Sequence, residues 1–358
     1  MDASKKPDQI PPSRRRFLGT AGTAALAAGA LQLGLAGPAQ AQAARAKAGT
    51  TAADLASGGG SSFGRVQQIN AGVLNVGYVD LGPTSGQPVI LMHGFPYDIH
   101  SYERVAPLLA AEGYRCIVPY FRGYGTTTFL SAKTPRNVDQ AAFALDILAL
   151  MDALGIKSAI MAGYDWGSRT GDIIAALWPK RVSALISVTG YLITNLGANK
   201  LPLPPDEEIS WWYQYYFSTP RGVLGLEEYR FELGEFIWHY NSPDWNFTPA
   251  TYARTAAAFN NPDYVPIVIG NYRWRLSLAP SEPEYLSIEN KLQNTPVIAV
   301  PTITIDGAQD PFTPPGNGSA YRDHFTGPYK HKTFQVGHNV PQEAPEAFAK
   351  AVVEVTTL

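Results

Sequence analysis

The sequence predicts an α/β protein: a doubly wound, mostly parallel sheet with an inserted helical cap. Three observations carry that prediction. Short, wholly apolar runs, of the kind that parallel sheets bury on both faces, alternate with stretches of helical periodicity. The stretch Gly163-Tyr164-Asp165-Trp166-Gly167 stands between one such run and a helical pattern. Residues 191–290 break the alternation with a segment rich in Trp, Tyr, Phe and Pro that lacks strand runs.

In chain order, residues 66–69 and 73–79 read as an antiparallel pair joined near Asn70-Ala71-Gly72. Residues 88–92 form a wholly apolar strand, followed by a helix over 102–112 and a strand over 115–118. Pro135 starts a long helix in which Ala141, Leu145, Leu148, Met151 and Leu154 recur at three- and four-residue spacing, and Gly155 ends it. The strand at 158–162 leads through the glycine-flanked stretch into a helix over 168–178, and the next strand covers 181–189. Beyond the cap come strands at 297–305 and 330–336 and a closing helix over 341–353.

The first 62 residues read differently. Arg14-Arg15-Arg16-Phe17-Leu18, an Ala/Gly-rich apolar stretch and Ala39-Gln40-Ala41 follow the order of a twin-arginine export signal with a small-residue cleavage site. Residues 1–41 are therefore assigned to the signal and 42–62 to a Gly/Ser/Ala linker. The core is expected over 63–190 and 291–358, with the cap at 191–290. This organisation predicts a periplasmic or secreted protein, with the twin-arginine translocation machinery as its partner during export and no stable membrane insertion after signal removal.

Composition narrows the function. The 45% hydrophobic and 16% charged content supports a sizeable core. The formal charge is −2 for the whole chain and −5 without residues 1–41, which suits a soluble enzyme and disfavours nucleic acid as a partner. Cys116 is the only cysteine, so no intrachain disulfide or cysteine metal cluster can form. The sequence has no H-E-x-x-H pattern and no glycine-rich phosphate loop after a strand, so neither a metal nor an organic cofactor is expected.

The chemistry centres on Asp165. Strand, tight turn and helix in that order set a reactive side chain at the apex of a strained elbow, and glycines two positions to either side let backbone approach closely. An aspartate at the apex can attack a saturated carbon and form an ester, which water must then cleave. As a helix N-cap, Asp165 would have no such role. Ser168, three residues further on and inside the helix, is out of register for a serine nucleophile. In hydrolases with this elbow, oxyanion donors come from the residue after the nucleophile and from the loop after an earlier strand. Here those are the backbone N–H groups of Trp166 and Phe95, the latter held extended by Pro96. His93 reads as a packed histidine bonded to backbone. His338 is the only one of six histidines to follow the final strand, where the base belongs in this chain order.

His93-Gly94-Phe95-Pro96, Arg122-Gly123-Tyr124-Gly125 and Gly163-Tyr164-Asp165-Trp166-Gly167, in this order, resemble the α/β-hydrolase superfamily. Within it they look like the epoxide hydrolases and related dehalogenases, over residues 63–358. Tyr164 departs from the histidine more often found before the nucleophile. The resemblance implies that Gly307-Ala308-Gln309-Asp310 is the acid loop, with Asp310 as the acid of the triad and Asp306 as the runner-up. It also implies that two cap tyrosines, Tyr213 and Tyr272, donate hydrogen bonds to an epoxide oxygen on a small apolar substrate. A dehalogenase would use the same Asp165 and His338, with the Trp166 N–H among its halide donors, but Phe95 stands where haloalkane dehalogenases usually carry asparagine. Arg122 is a structural loop arginine or a ligand for a haloacid carboxylate. A non-catalytic binding module of the same fold is the remaining alternative.

Overall fold

A computed structural model describes residues 63–136, 138–312 and 316–358. The export signal and linker assigned to residues 1–62 lie outside the described residues, which all belong to the unit Gly59–Leu358.

Among the described residues, nine strands form one sheet. They are β1 (Gln67–Ala71), β2 (Leu74–Leu81), β3 (Pro88–Met92), β4 (Arg115–Pro119), β5 (Thr128–Phe129), β6 (Ala159–Gly163), β7 (Val182–Val188), β8 (Thr302–Gly307) and β9 (Tyr329–Phe334). Their order is β1-β2-β4-β3-β6-β7-β8-β9, with the two-residue β5 pairing with β2 off this path. From β4 through β9 along that order every pair is parallel, whereas β2 runs antiparallel to β1, β4 and β5. β3 and β6 are buried almost throughout, which is why they read as continuous apolar runs. The chain passes from β3 outward to β4 and returns to β6 on the other side of β3. The order therefore reverses between β3 and β6, and loops leaving their carboxyl ends flank a crevice. Met92 pairs with Gly163 in register, so the loop after β3 lies beside the turn after β6.

Core helices are α1 (Val105–Ala111), α2 (Gln140–Ala153) and α3 (Trp166–Leu177). Between β7 and β8 the chain contributes no strand and forms α4 (Trp212–Ser218), α5 (Pro220–Asn241), α6 (Pro249–Ala256), α7 (Tyr264–Arg275) and α8 (Leu286–Leu292). The last helix is α9 (Pro345–Val355).

Several elements differ from the sequence expectation. The helix expected over 102–112 is a 3-10 turn at Ile99–Tyr102, capped by the Asp98 carboxylate on the His100 N–H at 3.0 Å, followed by α1. The helix expected from Pro135 starts at Gln140, where Glu289 of α8 accepts from the Ala141 N–H at 2.9 Å and the Gln140 amide at 3.1 Å. β8 begins at Thr302, not at residue 297, because Pro296 and Pro301 withhold backbone donors; Ile298 makes only an isolated bridge to Phe325. The closing helix is interrupted at Ala344, where φ −134° and ψ 59° reflect the steric demand of Pro345 behind it.

Candidate active site

Asp165 sits at the turn between β6 and α3 with φ 51° and ψ −119°, a left-handed conformation that costs a non-glycine residue of order 1–3 kcal/mol. Its side chain makes no capping bond to α3, so it is not serving as an N-cap. The flanking glycines are demanded by space. A Cβ on Gly163 would lie 2.4 Å from the Gly167 carbonyl carbon, and one on Gly167 would lie 2.0 Å from the Met92 carbonyl oxygen. The strained turn is thus held in place by β3 and by its own closure.

The loop after β3 meets the carboxylate from one side. The Phe95 N–H donates to Asp165 Oδ1 at 2.8 Å, and a Cβ on Gly94 would stand 2.5 Å from the Asp165 Cβ. Trp166 opens α3, where helix N–H groups lack intrahelical acceptors, and its indole stacks on Phe95 at 5.7 Å. The Phe95–Pro96 peptide bond is cis. The Pro96 carbonyl accepts from the Trp238 indole N–H of α5 at 2.9 Å, which ties this loop to the helical insertion.

From the other side comes His338, in the loop after β9. Its Nδ1 donates to Asp310 Oδ2 at 2.7 Å, and its Nε2 stands 4.0 Å from Asp165 Oδ2. The Phe312 N–H donates to the remaining Asp310 oxygen at 2.9 Å. The imidazole is enclosed by the rings of Phe312, Tyr164 and Tyr97, at 5.2, 6.1 and 6.3 Å. Burial works against its positive charge, but Asp310, Asp165 and Glu343 outweigh that and raise its pKa to about 9. The free site therefore holds an imidazolium between two carboxylates at neutral pH.

Tyr213 of α4 and Tyr272 of α7 close the site from the insertion. Their rings meet edge-on at 5.3 Å, and both pack on Phe95, at 6.0 and 5.3 Å. Burial, and then the negative charge of Asp165, raise the Tyr213 pKa above the ordinary tyrosine range. Burial, then Tyr213 and Asp165, do the same for Tyr272. Both phenols remain protonated donors, the Tyr272 hydroxyl turning toward that of Tyr213, and among the described residues the Trp166 indole N–H is buried without a partner. A buried unpaired donor costs about 1–3 kcal/mol, so this one, on the residue next to Asp165, points to a group kept for a ligand.

Asp165, Asp310, His338, Phe95, Trp166, Tyr213 and Tyr272, dispersed over 244 positions between Phe95 and His338 by number, thus converge on one crevice. The remaining polar residues singled out in the sequence lie elsewhere. His93 Nε2 accepts from the Phe121 N–H at 3.2 Å, so Nδ1 carries the proton that it shares with the Gly94 carbonyl at 3.0 Å. Burial lowers its pKa to about 4 and keeps it neutral. Arg122 is buried in a two-pronged pair with Asp146, both contacts at 2.6 Å. Asp306 accepts from the Tyr321 hydroxyl at 2.9 Å, and the imidazole within reach of it is that of His331. Tyr164, the unusual residue before Asp165, is buried with its hydroxyl 2.7 Å from Ser101 Oγ.

Sequence reasoning missed Glu343. Its carboxylate accepts from Gly337 N–H, Asn339 N–H and the Ser242 hydroxyl at 2.9, 3.1 and 2.6 Å, gripping the loop that carries His338. Its place five residues past the histidine was the only available signal, and a glutamate there reads equally well as a helix-start charge.

The site thus sets a carboxylate at a strained elbow, with the Phe95 amide on one of its oxygens and a histidine–carboxylate pair facing the other, at the switch point of a doubly wound sheet. A model of the alpha/beta hydrolase fold family matches residues 87–345, and the chain belongs to that family. The crystal structure of a candidate epoxide hydrolase from Klebsiella pneumoniae is 56% identical, with a TM-score of 0.82, covering 83% of this chain and 99% of that one. Epoxide hydrolase B of Mycobacterium tuberculosis is 27% identical over 152 residues, 39% of this chain and 42% of that protein. An epoxide hydrolase of Caballeronia sordidicola is 33% identical over 114 residues, 31% of this chain and 33% of that protein. The matched stretches thus span less than half the length of these two curated relatives.

Proposed function

We propose that this protein is a hydrolase that opens an epoxide to a diol through a covalent ester on Asp165. The observation that carries the reading is the division of labour between the two Asp165 oxygens: Oδ1 is held by the Phe95 N–H, whereas Oδ2 faces His338. Oδ2 attacks a ring carbon and the ring C–O bond breaks. The departing oxygen takes a proton from Tyr213 or Tyr272. Alkylation removes the charge of Asp165, one of the groups that hold the proton on His338, and leaves a phenolate as acceptor for that proton. The neutral imidazole, oriented by Asp310, then deprotonates a water that attacks the ester carbonyl. Charge developing on Oδ1 is met by the Phe95 and Trp166 amides, preorganised donors worth about 3 kcal/mol each. The intermediate collapses as the ester C–O bond breaks and the imidazolium gives its proton to the departing diol oxygen, after which the Asp165 carboxyl passes its proton to the imidazole and is a carboxylate again. The similarity to proteins named epoxide hydrolases and the buried tyrosine pair support this reading, and no step in it requires a metal or organic cofactor.

The test separates the two steps. His338→Gln, mixed with an epoxide that wild type opens, is expected to gain the mass of the substrate on the peptide containing Asp165, while Asp165→Ala gains nothing and turns nothing over. Multiple turnovers in ¹⁸O-water are expected to write label into the Asp165 carboxylate. An unlabelled Asp165 and no adduct would mean direct attack by water.

One observation favours a second reading. The unpartnered Trp166 indole N–H is a donor suited to a halide, so a dehalogenase acting through the same Asp165 and His338 is the alternative. Scoring diol against released halide over matched epoxides and haloalkanes decides between them. We also place the mature protein in the periplasm or outside the cell, on the strength of the twin-arginine pattern.

A further inference from the structure

Beside the tyrosine pair lies a second concavity, of about 320 Å³, within the ~300–1,000 Å³ range of small-molecule sites. Arg275, Lys200, Asn199, Gln214, Trp211 and Glu208 border it. It is one side chain removed from the reacting groups. The Arg275 guanidinium stands 5.7 Å from the Tyr272 ring and 5.9 Å from Trp211. Trp211 packs at 5.1 Å on Phe312, which in turn lies 5.2 Å from His338. Gln214 follows Tyr213 in α4.

The polar groups here are poised for something the chain does not provide. Among the described residues Arg275 Nε is buried without a hydrogen-bond partner, and Gln214, only 5% exposed, reaches from the cavity to the Tyr213 phenol. Among the described residues no ion pair joins Arg275 or Lys200 to a carboxylate. Glu208, the acid that borders the cavity, is already engaged by the Leu203 N–H at 2.7 Å and by the Tyr215 hydroxyl. A second guanidinium, that of Arg169, adds like charge. Its Nε donates to the Leu192 carbonyl at 2.9 Å, while the nearby Asp172 carboxylate is taken up by the Leu192 N–H at 2.8 Å. Burial and then the charge of Arg275 lower the Arg169 pKa to about 10, with Asp165 opposing, so the two arginines feel each other's field. Asp165 and Asp172 offset the charge of Arg169, whereas Arg275 has no ion-pair partner among the described residues, and an anion supplied from outside would relieve the mutual repulsion of the two arginines.

We propose that this cavity is an anion subsite, in which Arg275 holds a carboxylate carried by the substrate while its epoxide ring reaches the tyrosine pair and Asp165. The substrate class is then an epoxide with a carboxylate tail, not a wholly apolar one. A planar guanidinium fork suits a carboxylate, and an Arg–carboxylate contact is charge-assisted. This inference rests on the epoxide-opening reading, which it deepens.

The experiment compares ω-epoxy-carboxylates of increasing chain length with the matching ω-epoxy-alcohols on wild type, Arg275→Gln and Arg275→Lys. The readout is the ratio of kcat/KM for acid over alcohol, in which any general damage to the tyrosine pair cancels. Wild type is expected to favour one chain length of acid by about 10- to 100-fold, the worth of a hydrogen bond to a charged group. That preference should shrink with added salt, collapse in Arg275→Gln and survive in part in Arg275→Lys. A ratio near one in wild type, or one unchanged in Arg275→Gln, overturns the subsite. If no epoxide of either kind is opened, the reaction reading has failed and the subsite is judged by calorimetry with hexanoate and hexanol. Binding of hexanoate alone, lost in Arg275→Gln, supports it; hexanoate binding that is absent or equal in both proteins overturns it.

Discussion

Glu343 brackets His338: its two carboxylate oxygens accept from the backbone N–H groups immediately before and after the histidine, at 2.9 and 3.1 Å. The same carboxylate takes the Ser242 hydroxyl at 2.6 Å, and the His338 N–H donates to the Asn241 carbonyl at 3.1 Å, so the end of α5 is fastened to the loop that carries His338.

Glu343→Gln is therefore expected to disturb the second half-reaction more than the first. An amide offers one acceptor oxygen where the carboxylate offers two, and its NH2 would face an N–H donor. With a loss of roughly 1–3 kcal/mol, ester hydrolysis should slow by about tenfold or more while alkylation of Asp165 changes far less. Time-resolved mass spectrometry of the intact protein reads both rates; equal slowing of both would reduce Glu343 to general support.

The pH dependence follows from the charge on His338. Its pKa is raised to about 9, above the ordinary histidine value near 6.5, so the favourable charge contributes to stability fully below about 6.5 and is lost as pH rises through about 9. Denaturation midpoints of wild type should fall over that window, and those of His338→Gln should fall less. In Asp165→Asn, which keeps the shape and removes one carboxylate charge, the imidazole should titrate below about 9 by NMR. An unchanged titration would exclude Asp165 as the switch that frees the base.

Tyr213→Phe and Tyr272→Phe each remove a phenol that makes none of the hydrogen bonds holding His338 and Asp310. Either change should slow alkylation by an epoxide by roughly 10²-fold, the usual worth of a general acid, with little effect on any halide displacement. Single-turnover rates on matched epoxide and haloalkane substrates check this, and equal losses on both would mean that the rings only shape the insertion.

Export is tested on the precursor. With Arg14 and Arg15 both changed to lysine, mature protein should no longer reach the periplasm, and precursor should accumulate inside the cell. Periplasmic recovery as in wild type would rule out the twin-arginine route.

Much of this protein was legible before any coordinates. The apolar runs that became β3 and β6 reveal themselves because strands covered on both faces are built mostly of apolar residues, and the glycines around Asp165 reveal the elbow because nothing larger fits beside Met92 and Gly167. His338 followed from chain order alone. Tertiary structure decided what periodicity cannot express. Glu289 set the start of α2 from nearly 150 residues away, and prolines at 296, 301 and 345 delayed β8 and broke the last helix. Contacts between side chains far apart in the chain likewise bound Arg122 to Asp146, His93 to Phe121, and Glu343 to the amides around His338. Arg275 was anonymous in the sequence for the same reason: a guanidinium without an ion-pair partner among the described residues is recognisable only once its neighbours in the fold are known. Local pattern encodes which face of an element is buried, whereas the partner of a polar group is chosen by the fold.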